Sequence, residues 1–325
     1  MGALDFAAFL RLSDVSTPNR LADMIAEPRK QTDLGRASSL ALLGVIAVSW
    51  GLTWPVNKAM LDYTSPIWAV CIRYVVATLV LVVLTGALGR LRLPPRGDLP
   101  VVLSVSFLHM LGFGVLCSIG LKYIPAGRSV LLAYTTPFWV FPLAWLVLGE
   151  RLTGARMLAF ASGILGLLLL VNPQSLDWGD RHVLTGHALI LLAAVLWACS
   201  IVYVRRHRWL ATPFDLLVWQ TLLTIGLTGA AAFAIEGPPH VEWTARFLLL
   251  SIYGGGIGTA LAFWALNTVN RVLPATTTSL GLLGVPLLGV GSSMVMLGEA
   301  FDPISVAALA LIVGGIAIGT LGGRS

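Results

Sequence analysis

The chain has 325 residues, of which 57% are hydrophobic and 11% charged, where soluble domains carry roughly 25% charged residues. Apolar runs of about twenty residues, long enough for a ~30 Å hydrocarbon core, recur from end to end and exclude a water-soluble domain. The net charge of +6 does not indicate nucleic acid, because the basic residues sit in short segments between apolar runs.

Residues 1–37 are polar and mixed in charge and read as a cytoplasmic N-terminal arm. Leu4, Phe6, Phe9 and Leu10 make an apolar patch too brief for a signal peptide. Phe6 stands where a myristoylation signal needs Ser or Thr. From Ser38 onward ten apolar segments follow, at 38–60, 66–88, 99–121, 126–148, 153–171, 185–205, 213–235, 244–267, 274–297 and 303–322. Pro66, Pro274 and Pro303 open segments, where a missing N–H costs nothing. Cys71, Cys117 and Cys199 lie inside apolar runs with no Cys-x-x-Cys, so neither a disulfide framework nor a metal site is indicated.

The chain repeats itself. Pro125-Ala126 matches Pro274-Ala275, Pro137 matches Pro286, Gly149-Glu150 matches Gly298-Glu299 and Gly166 matches Gly315, all at an offset of 149. The earlier parts align at 147, with Trp50 over Trp197 and Arg73 over Gln220. Each copy holds five spans, an odd number, so the second enters the membrane from the opposite side. The predicted fold is all-α and integral to the membrane, with ten transmembrane helices in two inverted five-helix repeats around a central cavity. The repeats are 38–171 and 185–322, joined by a linker at 172–184. Inverted repeats recur among secondary transporters that work by alternating access.

Ten spans put both termini on one side. With the N-terminus in the cytoplasm, fifteen Lys and Arg fall inside and five outside, and Arg73 lies within a span. The positive-inside rule therefore predicts cytoplasmic termini.

Trp50-Gly51 and Lys58 in the first span, Arg73 in the second, and the series Pro125-Ala126, Pro137 and Leu148-Gly149-Glu150 resemble the EamA-type drug/metabolite transporter superfamily. The second copy matches again at Pro274, Pro286 and Leu297-Gly298-Glu299. Two departures stand out: Gln220 replaces the arginine, and no lysine matches Lys58. The resemblance implies ten helices in a basket and export of small metabolites or drugs across a bacterial inner membrane. The aromatic content is most similar to YddG-type exporters of aromatic and other hydrophobic amino acids. It implies no cofactor, and the partners expected are a small-molecule substrate and the lipid bilayer. Efflux of lipophilic drugs by the same fold is the alternative.

Polar groups inside a bilayer are expensive and mark functional candidates. Arg73 lies well inside its span, and either acts on substrate or ties helix ends through carbonyls or a carboxylate such as Glu150 or Asp62. Lys58, at a span end, either snorkels or attracts a substrate carboxylate. His109 is the one histidine deep in a span; it binds substrate, takes up a proton that drives the cycle, or bonds between helices. No Asp or Glu lies mid-span, which disfavours a lipophilic cation as the main substrate, since an unpaired charge there costs several kcal/mol. Trp50, Trp54, Trp197, Tyr253 and Trp264 lie in spans that the family resemblance places around the cavity. Tyr134, Phe138, Phe141 and Trp145 recur at helical spacing on one face. Packing is the competing role for each. Pro55, Pro137 and Pro286 are candidate hinges, because an intrahelical proline removes a backbone bond. The rivals, a membrane-embedded enzyme or an open pore, predict a nucleophile or metal motif or a continuous polar stripe. The sequence shows neither.

Overall fold

The computed structural model describes residues 35–150, 153–171, 180–273, 275–300 and 302–322. The expected arm up to residue 34, most of the linker, and Pro274 lie outside the described residues. Among the described residues the regular structure is helical, apart from one isolated bridge between Thr64 and Val241. The first five helices are α1 (Arg36–Met60), α2 (Pro66–Ala87), α3 (Arg96–Tyr123), α4 (Ala126–Leu148) and α5 (Gly154–Val171). The second five are α6 (Arg181–Arg206), α7 (Pro213–Ile235), α8 (Ala245–Val272), α9 (Ala275–Leu282 then Gly284–Leu297) and α10 (Pro303–Gly322). All but α5 are long and apolar enough to cross a membrane. α5 has 18 residues, about 27 Å at the usual rise. Large apolar side chains point outward, Val83 72% and Val295 87% exposed, as lipid-facing surfaces require.

Local signals in the sequence set the helix ends. Thr212 and Thr244 cap α7 and α8 by accepting the Asp215 and Phe247 N–H groups. The repeated Leu-Gly-Glu is a terminator: Gly149 and Gly298 close α4 and α9 at φ of 66° and 67°, a left-handed conformation suited to glycine. Both helices also break in the middle, α4 at Tyr134-Thr135 and α9 at Leu283, and in each the proline follows within three residues. In α3 and α8 the bonding loosens to π-helix over Val105–Phe113 and Ile252–Leu261. Those segments are again 147 residues apart, so the duplication extends to this rare geometry.

Equivalent helices pair across the repeats. α2 lies along α7, joined mid-membrane by the Thr78 hydroxyl donating to Thr221 at 2.8 Å. At one end Glu236 accepts from the Ser65 hydroxyl at 2.6 Å and the Ile67 N–H at 3.0 Å. At the other Arg90 donates to Asp215 at 2.7 Å. α5 crosses α10 through Gly166 and Gly315. A Cβ on the first would lie 2.9 Å from Ile312, and on the second 3.0 Å from the Ala159 carbonyl. Without a solvent-driven hydrophobic force between them, membrane helices need such close approach. Gly255 and Gly258 do the same for α8 against α2 and α1, whereas Gly314 faces open space.

Candidate binding cavity

Between the two repeats lies a cavity of about 720 Å³, within the range of small-molecule sites. Five of the aromatic and histidine candidates line it: Trp50 and Trp54 from α1, His109 from the π segment of α3, Tyr134 from the break in α4 and Trp197 from α6. The His109 ring stacks on the Trp197 indole, centroids 5.3 Å apart and planes 6° from parallel. Tyr134 meets the same indole edge-on at 6.5 Å. Trp50 anchors its indole N–H on the Gly258 carbonyl at 3.1 Å and turns its face to Phe263 at 5.7 Å.

The other aromatic candidates lie elsewhere. The break before Pro137 turns α4, so Tyr134 and Phe138 do not share a face as their spacing predicts. Phe138 is buried where α5 and α10 cross, in the space left by Gly163 and Gly315. Phe141 packs on Phe160 and Trp145 is exposed to lipid. Tyr253 donates its hydroxyl to the Ser49 carbonyl at 3.1 Å, and Trp264 packs among apolar residues of α1 and α7. Of the prolines, Pro137 lines the cavity beside the break in α4, Pro286 is buried beside the equivalent break in α9, and Pro55 is buried in continuous helix.

Residues that the sequence did not single out complete the wall. Phe113 lies 4.9 Å from Trp197 and Phe263 lies 6.3 Å from His109. Thr53, Asn57 and Asn267 add polar groups. Phe113 stands one helical turn from His109, and Asn57 and Asn267 are amides inside apolar spans, so both signals were in the sequence.

The charges divide between the ends and the interior. Lys58 lies outside the cavity and donates to the Ile124 carbonyl at 2.7 Å, 3.6 Å from Glu299. Glu299 in turn accepts the Ala126 and Gly127 N–H groups, at 2.7 and 2.9 Å, across the N-terminus of α4. This end is shut: Met60 and Leu121 beneath it are each 1% exposed. At the opposite end Arg205 pairs with Glu150, which also meets Arg156 at 3.2 Å. There the cavity reaches exposed Arg205, Pro213, Asn270 and Ser279, so it is open. Position 205 is 58 plus 147, and Glu150 is the counterpart of Glu299. The second copy therefore does carry a cation where the first has Lys58, as arginine rather than lysine.

Arg73 lines the cavity. Neither Glu150 nor Asp62 pairs with it; among the described residues it makes no ion pair, and its Nε is buried without a hydrogen-bond partner. Among the described residues no Asp or Glu lines the cavity.

The model of the EamA-like transporter family matches residues 37–172 and 184–321. An uncharacterized transporter, YvbV, of Bacillus subtilis is 27% identical over 88% of this chain and 92% of its own length. A probable amino-acid metabolite efflux pump of Salmonella typhimurium is 27% identical over 88% of this chain and 95% of its own. A crystal structure that is 23% identical covers 88% of this chain and 98% of that one with a TM-score of 0.64, which shows the fold.

Proposed function

Because the chain belongs to the EamA-like transporter family, we propose that this multi-pass membrane protein exports small amphipathic metabolites, chiefly aromatic and other hydrophobic amino acids. The observation that carries the reading is a cavity walled by Trp50, His109, Phe113, Tyr134, Trp197 and Phe263, with no carboxylate in its lining among the described residues. Aromatic faces give area and edge-to-face contacts to an apolar ring. A hydrophobic cation would lack a counter-charge there. The probable amino-acid metabolite efflux pump among the relatives supports a substrate of this kind.

The mechanism we propose is alternating access. A single shape of each repeat, exchanged between the two inverted copies, would close the Arg205 end and open the Lys58 end. The opposed states of the two ends support this. So does the equivalence of Lys58–Glu299 with Arg205–Glu150. On the charge distribution, the Arg205 end faces the cytoplasm of a bacterial inner membrane, with both termini on that side. His109, the histidine in the cavity lining, is our candidate for any proton taken up in the cycle.

Uptake into proteoliposomes tests the reading, using labelled Phe, Trp, Leu, Thr, Lys and a quaternary ammonium dye, with and without a pH gradient. Preferential uptake of Phe and Trp is expected. Trp197→Ala, which strips the stacking partner from His109 and Phe113, should lower it about tenfold at unchanged yield of folded protein, since aromatic contacts are worth roughly 0.5–1.5 kcal/mol each. Uptake of the dye alone would overturn the amino-acid reading, and gradient dependence that survives His109→Gln would remove His109 as the proton site.

A further inference from the structure

We propose that Arg73 is the anchor for a substrate carboxylate, and that the site requires this carboxylate while the α-ammonium of an amino acid is dispensable. The inference rests on the transporter reading and narrows its substrate class to apolar-bodied monocarboxylates, whether or not they carry an amino group.

The argument begins with the charge inside the cavity. A guanidinium stays protonated under all working conditions. Inside a membrane protein, charged groups pair with one another or with polar backbone, because an isolated charge there costs several kcal/mol. The other cation that lines the cavity, Arg205, is half exposed at the open mouth and pairs there with Glu150. Arg73 has no such partner among the described residues, and its Nε is buried and unbonded. Its guanidinium lies 5.1 Å from the centroid of the Tyr74 ring, a cation–π contact that brings no formal negative charge, and the Tyr74 hydroxyl donates to the Met110 carbonyl at 3.3 Å. Thus the cavity wall presents one positive charge that no carboxylate among the described residues pairs with. A monoanion cancels it; a zwitterion cancels it and brings a second cation; an amine adds to it.

Position supports the same assignment. The Arg73 stem passes Gly254 of α8, and its terminal nitrogen passes Gly114 of α3, so close that an added Cβ would lie 3.4 and 3.5 Å away. The side chain is thereby directed along the wall rather than into lipid. Asn57 borders the same Gly254 site, its amide oxygen 3.7 Å from the added Cβ, and also lines the cavity. A carboxylate bound to the guanidinium thus has an amide beside it as a second donor. Towards the open end lie His109, Phe113 and Trp197, where the apolar body of the substrate would rest. No acid stands near that body to receive an ammonium. The second repeat has Gln220 in the equivalent place, so the anchor exists once and orients the substrate in one way.

The test is competition against labelled Phe in proteoliposomes, with 3-phenylpropionate, phenethylamine and phenylalanine amide as competitors. 3-Phenylpropionate should compete within a few-fold of unlabelled Phe. The two compounds lacking a carboxylate should be weaker by roughly tenfold or more, the scale of a charge-assisted hydrogen bond. Arg73→Gln installs the residue that the other repeat already uses; it should raise the KM for Phe by at least the same factor and abolish competition by 3-phenylpropionate. Arg73→Lys, which keeps the charge, should restore part of both. Direct uptake of labelled 3-phenylpropionate should carry one negative charge more than uptake of Phe, whatever ion accompanies both, and so respond differently to a valinomycin-clamped membrane potential. Competition by phenethylamine as good as that of Phe, or an unchanged KM in Arg73→Gln, would overturn the anchor and leave the amino-acid reading standing. Uptake of 3-phenylpropionate without any uptake of Phe would instead overturn the amino-acid reading and keep the anchor.

Discussion

Replacing Glu299 by alanine should unlatch the closed end of the bundle. In the structure its carboxylate accepts two backbone N–H groups of α4, Ala126 at 2.7 Å and Gly127 at 2.9 Å. Hydrogen bonds to a charged group are worth roughly 1.5–3 kcal/mol each, and those N–H groups regain water once the end opens, so the lower figure applies to both. Their sum, about 3 kcal/mol, already contains the attraction of a carboxylate for a helix N-terminus. Lys58 adds little, because it is 3.6 Å away, partly exposed and held independently by the Ile124 carbonyl. At 1.4 kcal/mol per decade, about 3 kcal/mol shifts the closed-to-open ratio roughly a hundredfold. The assay places a single cysteine at Leu121, in a background lacking Cys71, Cys117 and Cys199. A membrane-impermeant thiol reagent is then added only on the face that carries Lys58. Labelling should be slow in the parent and accelerate towards a hundredfold with Glu299→Ala. An unchanged rate with Glu299→Ala, together with a faster one for Lys58→Ala, would refute the reasoning and make the lysine–carbonyl contact the latch.

Gly315→Val should destabilise the crossing of α5 and α10 by roughly 1–3 kcal/mol, because its Cβ would lie 3.0 Å from the backbone carbonyl of Ala159. Thermal unfolding in detergent reads this directly, and Gly314→Val, which meets nothing within 4 Å, serves as the control. Equal losses from both variants would refute the packing argument. Asp302 caps α10 by accepting the Ser305 N–H at 2.7 Å, and this bond, assisted by the Ser305 hydroxyl and by Arg128, holds its carboxyl below the ordinary value of 3.8. A lowered folded value means stabilisation that is present above pH 3.8 and lost as pH falls through the lower folded value. Asp302→Asn should therefore cost a little thermal stability at neutral pH and nothing once pH is well below that range. A difference that persists in acid would mean that shape, not charge, makes the cap.

The duplication was legible because it rests on residue types that backbone geometry demands. Gly149 and Gly298 recur since only glycine takes the left-handed cap easily, and Pro137 and Pro286 recur beside the breaks. The Trp50 and Trp197 pair was legible for the same reason, as equivalent positions of one pattern. The π segments were not. Residues 105–113 and 252–261 are mostly apolar, with only Ser106, His109, Tyr253 and Thr259 among them, so no periodicity distinguishes i→i+4 from i→i+5 bonding. Nor was the fate of Phe138, because regular spacing predicts a shared face only for an unbroken helix, and the break at Tyr134-Thr135 interrupts this one. Arg73 illustrates a third case. Its depth was readable, but whether a carboxylate meets it depends on which helices become neighbours. That is decided by the inverted pairing and not by any local pattern.

A π turn takes in one residue more than an α turn, so α3 and α8 each store surplus chain at mid-membrane. Were either segment to tighten, the helix on one side of it would rotate against the other by about 100° for each residue absorbed, as 3.6 residues per turn dictates. The two screws sit at matching places but bear different loads. His109 projects from the first, and its counterpart 147 residues on is Gly256. Rotation in α3 would sweep an imidazole along the cavity wall, while the same turn in α8 has no imidazole to move and would instead shift Phe263 and Asn267. A scaffold built from two like halves thus moves different chemistry with each.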